Sequence, residues 1–263
     1  MSSSPAVCTR RSGAVLEVIL DRPKANAIDA ATSRELGQTF ARFRDDPQLR
    51  VAMVTGGGDK FFCAGWDLIA AAAGSEGPDA DYGVGGFGGL QELPGLNKPV
   101  IAAVNGMAVG GGFELALAAD LIIAAEHARF ALPEIKAGTL ADAATIRLPR
   151  RIPYHLAMEL LLIGRWMDAR EAHARGLVNE VVAASALLPR ARALAQLLAS
   201  GPPLVFAAIK EVAREAETLS FGAAMRAIRE RRFASVSTLY ASEDQREGAR
   251  AFAEKRTPVW RGR

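Results

Sequence analysis

Two runs in this chain are apolar without a break: Val51-Ala52-Met53-Val54, continuing to Thr55, and Val100-Ile101-Ala102-Ala103-Val104. A strand with one wet face alternates apolar and polar residues, so strand-length runs without alternation belong to a sheet covered on both faces. Each run ends in turn residues, Gly56-Gly57-Gly58 after the first and Asn105-Gly106 after the second. A further strand is read at Ala14–Leu20, stopped by Asp21-Arg22-Pro23. Between these strands, Asp29–Asp45 carries Leu36, Phe40 and Phe43 at helical spacing, with Asp29 placed to cap the start and Pro47 beyond the end. Short buried strands spaced by helices predict an α/β chain built on a parallel sheet.

From Leu156 the pattern turns helical, with little strand signal. Helices are read at Leu156–Ile163, Ala169–Arg175, Ala186–Ala199, Pro203–Glu217 and Phe221–Leu239. The break Ser200-Gly201-Pro202-Pro203 divides an α/β core, residues 1–198, from a helical region, 199–263, that packs on this core or on a neighbouring subunit. The Gly- and Asp-rich stretch Gly74–Gly89 reads as a mobile surface loop.

Composition removes several classes. Half of the 263 residues are hydrophobic, which excludes a disordered chain, and two cysteines exclude a disulfide scaffold. No apolar run approaches the roughly 20 residues of a membrane helix. The start carries no apolar signal core, so the cytoplasm is the expected location. A net charge of +3 is too small to argue for nucleic acid, and is compatible with an anionic small ligand.

Three stretches are candidates for chemistry: Phe61–Leu68 (FFCAGWDL), Asn105–Glu114 (NGMAVGGGFE) and Phe130–Glu134 (FALPE). The glycines fit neither GxGxxG nor a P-loop. Gly110-Gly111-Gly112 ahead of a helical run, Phe113–Ala119, exposes backbone N–H groups that favour an anion or a developing oxyanion. A tight turn with close packing explains the same spacing, and both readings stay open. Glu114 lies among apolar residues, and burial of two nearby carboxylates would split their pKa values as acid–base chemistry requires. Spacing alone favours plainer roles, a helix-dipole carboxylate at Glu114 and a surface acid at Glu134. His127, His155 and His173 are scattered, Cys63 has no base and reads as a packed residue, and no cluster has metal-ligand spacing. The runs Arg147-Arg150-Arg151 and Arg226-Arg229-Arg231-Arg232 read as solvated helix faces.

Taken together, the motifs resemble the crotonase (enoyl-CoA hydratase/isomerase) superfamily from end to end. The resemblance rests on Asp21-Arg22-Pro23 with Asn26-Ala27, the FxAGxD turn at Phe62–Asp67, NGxxxGGGxEL at Asn105–Leu115 and Pro133-Glu134. Gly176-Leu177-Val178 and Ala251–Arg256 (AFAEKR) extend it to the end of the chain. It implies a spiral of ββα units feeding a C-terminal helical trimerisation region, as a homotrimer or a dimer of trimers. It also implies an acyl-CoA substrate whose thioester oxygen is held by the N–H groups of Trp66 and Gly111, with Glu114 and Glu134 as the proton carriers. Lys24, Ala25, Ala27, Ala64, Asp67 and Leu68 would line the coenzyme A groove. Phe252 and Lys255, in some cases from a neighbour, would close over the adenine. Coenzyme A is then part of the substrate, and no metal, redox cofactor, nucleic acid or membrane partner is expected.

Within the superfamily, the wording at Asp21–Ala30, Phe40–Val51, Gly65–Leu68, Gly112–Asp120 and Ala251–Arg263 is most similar to a branch of short-chain hydro-lyases whose acyl group carries a quaternary ammonium. Trp66, Tyr82, Phe87 and Phe113 would then wall the cation, and Asp142 would add a counter-charge; the same aromatics read equally well as ordinary core or loop residues. The alternatives are a general enoyl-CoA hydratase or isomerase of fatty-acid metabolism, and an acyl-CoA- or nucleic-acid-binding homologue without turnover. One stretch departs from the family. Where relatives carry Pro-x-x-Gly-Gly ahead of Arg-Leu-Pro, this chain has Ala141–Pro149 (ADAATIRLP), without the proline and both glycines. Loss of those glycines predicts altered geometry beside the carboxylates.

Overall fold

The computed structural model describes residues 5–72, 77 and 80–263. Its larger sheet has the order β1-β2-β3-β5-β7-β10. The strands are β1 (Val7–Ser12), β2 (Val15–Leu20), β3 (Val51–Gly56), β5 (Val100–Val104), β7 (Leu121–Ala125) and β10 (Glu180–Val182). β1 and β2 form an antiparallel hairpin, and the remaining pairings are parallel. The two uninterrupted apolar runs are the central β3 and β5, and every residue in them is buried.

The pleat explains why both faces had to be apolar. Val51, Met53, Ile101 and Ala103 point toward Leu187, Ala191, Ala195 and Ala199 of α8 (Leu187–Ala199). Ala52, Val54, Ala102 and Val104 join the main core with Leu36, Phe40 and Phe43 of α1 (Ala30–Asp45). Alternate residues of one strand thus serve two separate cores. The cap is as read from the sequence, with Asp29 Oδ1 accepting from Thr32 N–H at 2.7 Å.

A second sheet, in the order β4-β6-β8-β9, consists of β4 (Phe61–Cys63), β6 (Met107–Val109), β8 (Arg129–Ala131) and β9 (Met167–Asp168). Its strands have two or three residues, too few to show periodicity. β4, β6 and β8 each follow a strand of the large sheet and lead into a helix: α2 (Leu68–Ala72), α3 (Gly111–Ala118) and α4 (Glu134–Ala137). These are the expected ββα units. Asn105 ties two of them together, its Oδ1 accepting from Gly56 N–H (3.0 Å) and its Nδ2 donating to Gly58 O (2.9 Å). α5 (Asp142–Arg147), α6 (Tyr154–Ile163) and α7 (Ala169–Ala174) follow, and after α8 come α9 (Pro203–Glu215), α10 (Phe221–Arg229), α11 (Ala234–Ala241) and α12 (Glu243–Ala253).

Several expectations need correction. The single helix read at Phe221–Leu239 is two, α10 and α11, broken at Arg231, whose φ is +53°. The break lets Phe233 and Val236 pack with Ala208 and Ala227 in a small core of their own, which a straight helix would not reach. Strands β9 and β10 interrupt the stretch read as helical. In the Gly74–Gly89 loop, residues 74–76 and 78–79 lie outside the described residues, and the remainder from Tyr82 is anchored to α1. Ser33 Oγ there accepts from Gly88 N–H (2.9 Å) and lies 3.0 Å from Gly86 O. No single described helix is long and apolar enough to cross a membrane.

Asp29 also accepts from Arg22 Nη2 at 2.8 Å, so it serves two elements at once. Asp29→Ala is expected to cost about 1–2 kcal/mol in urea-induced unfolding, at the upper end of N-cap substitutions.

Candidate active site

The turn after β4 is the first component of the site. Ala64 N–H donates to Ala25 O (3.0 Å), Ile28 N–H to Gly65 O (2.7 Å) and Asp67 N–H to Ile28 O (3.0 Å). This short ladder passes over the N–H of Trp66, which has no partner among the described residues. Arg22 clamps the arrangement, donating to Asp67 Oδ2 (2.7 Å), Ala27 O (2.9 Å) and Asp29 Oδ2. The Arg22 guanidinium holds the Asp67 carboxyl below its ordinary range.

The second component is the start of α3. Gly110 has a φ of +54°, and a Cβ there would sit 2.5 Å from Glu134 Oε1. A Cβ on Gly112 would strike Cys63 O, and one on Gly111 would strike the Phe87 ring. The glycine run is therefore both a close-packed turn and an open helix start. The first N–H groups of a helix have no intrahelical acceptor, and Gly110 supplies no side-chain cap. A Cβ built on Gly65 would lie 2.9 Å from Gly111 N, so the turn carrying Trp66 abuts this bare helix end.

Trp66 and Gly111 open on a cavity of about 540 Å³, which Glu114, Glu134, Phe87, Tyr82 and Gln91 also line. Glu114 is 6% exposed, and its Oε1 accepts from Ala144 N–H at 2.8 Å. Burial pushes its pKa up, against the pull of the Ala144 N–H. The Glu134 carboxyl is pushed up to about 7, by burial first and then by the charges of Glu114 and Asp142. Its Oε2 is buried with no hydrogen-bond partner. The plainer reading of Glu134 as a surface acid therefore does not hold. Asp81, Glu92 and Asp142 add carboxylates to the lining, which includes no lysine or arginine among the described residues.

The other residues singled out from sequence divide into two groups. Ala64 and Leu68 line the cavity, whereas Lys24, Ala25, Ala27 and Asp67 do not. Phe252 is exposed near the end of α12, Lys255 follows the helix, and neither lines the cavity of this chain. Phe113 does not join the aromatic wall. It is fully buried, with its ring 5.1 Å from that of Phe130. Cys63 is buried, and its thiol is pushed up to about 12, which makes it inert packing. Arg147 is no solvated residue: its Nη2 donates to Gln91 O at 2.7 Å and its Nη1 is buried. The glycine-free stretch beginning at Ala141 forms α5, which presents the Ala144 N–H to Glu114. Sequence reading missed Gln91, Glu92 and Asp81, which sit in irregular backbone with no motif around them.

Comparison with known proteins places the chain in a family. A family model described as enoyl-CoA hydratase/isomerase matches residues 10–263. The chain belongs to that family. Among its relatives, proteins named carnitinyl-CoA dehydratase are 55% identical in Proteus mirabilis, with both chains fully covered, and 56% identical in Citrobacter koseri, over 96% of this chain and 97% of that one. A solved enoyl-CoA hydratase, EchA1 from Mycobacterium marinum, superposes with a TM-score of 0.89 at 41% identity, covering 99% of this chain and all of that one. An enoyl-CoA hydratase from Mycobacterium tuberculosis H37Rv gives 0.89 at 40% identity with the same coverage. The crotonase-like α/β fold expected from the motifs is thus the fold observed.

The raised Glu134 pKa has a consequence for stability. A free glutamate ionises near 4.5 and Glu134 near 7, so the folded state holds its proton more tightly. That contribution is fully present below pH 4.5 and is lost as the pH rises through 7. Glu134→Gln stays neutral throughout. Relative to wild type, it is expected to gain about 1–3 kcal/mol between pH 4.5 and pH 8 in urea unfolding.

Proposed function

We propose that this enzyme is a hydro-lyase on short acyl-CoA thioesters, and that its reaction is the reversible dehydration of carnitinyl-CoA to crotonobetainyl-CoA. The observation that carries the reading is the pairing of two carboxyls with raised pKa values, the buried Glu114 and the half-buried Glu134, with the N–H groups of Trp66 and Gly111, partnerless among the described residues, on one cavity. The N–H groups of Trp66 and Gly111 would accept the thioester oxygen. Stabilising the enolate there acidifies the α-carbon. One glutamate takes the α-proton while the other protonates the departing β-hydroxyl; in reverse, the pair holds and activates water. Glu134, with its pKa near neutrality, is suited to carrying a proton in either direction.

The acyl group is argued from the lining. A trimethylammonium cannot donate hydrogen bonds, and aromatic faces and carboxylates are what attract it. Trp66, Tyr82 and Phe87, with Asp81, Glu92 and Asp142, supply these, with no opposing cation among the described lining residues. The names of the relatives point the same way. The backbone near Lys24, Ala25, Ala27, Ala64, Asp67 and Leu68 would receive the coenzyme A chain, and Phe252 and Lys255 would complete the adenine end across a subunit boundary. We read residues 199–263 as the oligomerisation region of a homotrimer or dimer of trimers in the cytoplasm. Ile209, 59% exposed, and Phe221, 83% exposed, are apolar surface consistent with that role. Coenzyme A enters as part of the substrate, without a metal or redox cofactor.

The test is hydration of crotonobetainyl-CoA and of crotonyl-CoA by purified protein. Faster turnover of the betaine is expected, with losses of about 10²–10⁴ in both Glu114→Gln and Glu134→Gln. Preference for crotonyl-CoA would make the protein a general hydratase. Trp66→Leu should cost more on the betaine than on crotonyl-CoA, by roughly 0.5–2 kcal/mol in kcat/KM. Equal losses would remove the cation wall from the argument.

A further inference from the structure

One polar side chain of the cavity has no role in the account above. Gln91 lines the cavity, and its Nε2 is buried with no well-formed hydrogen bond, although its side chain approaches the Glu114 carboxylate. Native structures seldom bury a donor without an acceptor, and those that do call for an explanation. Its backbone is firmly held. Gln91 O accepts from Arg147 Nη2 at 2.7 Å, and the next residue, Glu92, donates its N–H to Gly85 O at 2.9 Å. Arg147 ends α5, the helix whose Ala144 N–H binds Glu114 Oε1. One short helix therefore anchors both the Glu114 carboxylate and the main chain that carries the Gln91 carboxamide. Gln91 lies close enough to Glu114 to favour its charged form, against the larger effect of burial.

We infer that Gln91 is a further catalytic residue whose Nε2–H donates to the β-oxygen of the acyl group, the hydroxyl in one direction and the water in the other. This rests on the hydro-lyase reading. In dehydration the α-carbon gives its proton to one glutamate, and the electrons of that bond form the double bond. The Cβ–O bond breaks with its pair going to oxygen, and the other glutamate delivers the proton that completes water. Negative charge grows on the leaving oxygen until that proton arrives. An ionised carboxylate cannot donate to that oxygen, and the Gln91 amide can. A fixed donor aimed at developing charge needs no reorganisation during the reaction. In the reverse direction, the same N–H occupies a water lone pair, leaving the other to attack Cβ; one glutamate takes one of the water's protons, the second stays on the new hydroxyl, and the other glutamate delivers its proton to the α-carbon.

The experiment compares Gln91→Leu, which removes the donor at similar volume, with wild type. Hydration is followed on crotonobetainyl-CoA and crotonyl-CoA. Binding of butyryl-CoA and 3-hydroxybutyryl-CoA is measured by calorimetry in a Glu134→Gln background, with and without the Gln91 change. The expected result is a loss in kcat of about tenfold to a hundredfold, at or below the cost of removing one oxyanion donor, with KM changed less than about threefold. Affinity for 3-hydroxybutyryl-CoA should fall about fivefold or more while butyryl-CoA stays within about twofold, on the scale of one lost hydrogen bond. Intact butyryl-CoA binding also shows that the variant is folded. Equal weakening of both thioesters, or an unchanged hydroxyl preference whatever happens to kcat, would overturn the assignment. Wild-type protein that hydrates neither substrate would instead overturn the hydro-lyase reading, and with it the β-oxygen that Gln91 is said to hold.

Discussion

The site depends on one close approach, that of the Cys63–Trp66 turn to the first turn of α3. Backbone meets backbone there because Gly65 and Gly112 carry no side chain: a Cβ on Gly112 would overlap Cys63 O, and one on Gly65 would press on Val109 O and Gly111 N. A helix start normally recruits a capping side chain. This one is left bare and faces a cavity. The sheet beneath supplies the rigidity, since β3 and β5 are buried on both faces and set where β4 and β6 emerge. Arg22 adds the lateral restraint by joining Asp29, at the head of α1, to Asp67 beyond the turn.

Charge is the second organising quantity. Carboxylates surround the cavity while its lining has no lysine or arginine among the described residues. Such a lining raises the cost of every further negative charge in it, which is why burial and neighbouring anions push Glu114 and Glu134 in the same direction. A cationic ligand would relieve that repulsion on entering, so ligand charge and carboxyl protonation are linked. The basic residues of the chain are spent elsewhere, as in the Arg165 pairs with Glu159 and Glu171 and the Arg192–Glu17 pair.

The centre of the large sheet was legible because β3 and β5 obey a two-faced burial rule that leaves no room for polar residues, whereas the edge strands β1 and β10 carry exposed or half-buried positions and were not read. Asp29 and the α1 stripe were legible for a comparable local reason. The small sheet was not, since strands such as Arg129–Ala131 are too short to show a period. The break at Arg231 was missed because no glycine or proline marks it; packing of Phe233 into a separate core decides it. Within the site, glycines and glutamates stood out as motifs, and the family resemblance singled out Trp66. Gln91 was invisible, as its position follows from Arg147, which is distant in sequence and had been read as solvated. Phe113 was misplaced because a helix-start aromatic faces the core or the cavity depending on rotation that spacing alone does not reveal.

The six residues of α5 do more than close a gap in the chain. The helix touches the reactive centre through a main-chain amide at Ala144, a carboxylate at Asp142 and, by way of Arg147, the cavity's loop wall. Few of its contacts involve the sheet, and only Ala144 among its residues is buried. Such a segment is a place where acid strength and pocket shape can change together while the scaffold stays fixed. Replacing a few consecutive residues of α5 would therefore alter the surroundings of Glu114 and the shape of the pocket together, without touching β3 or β5.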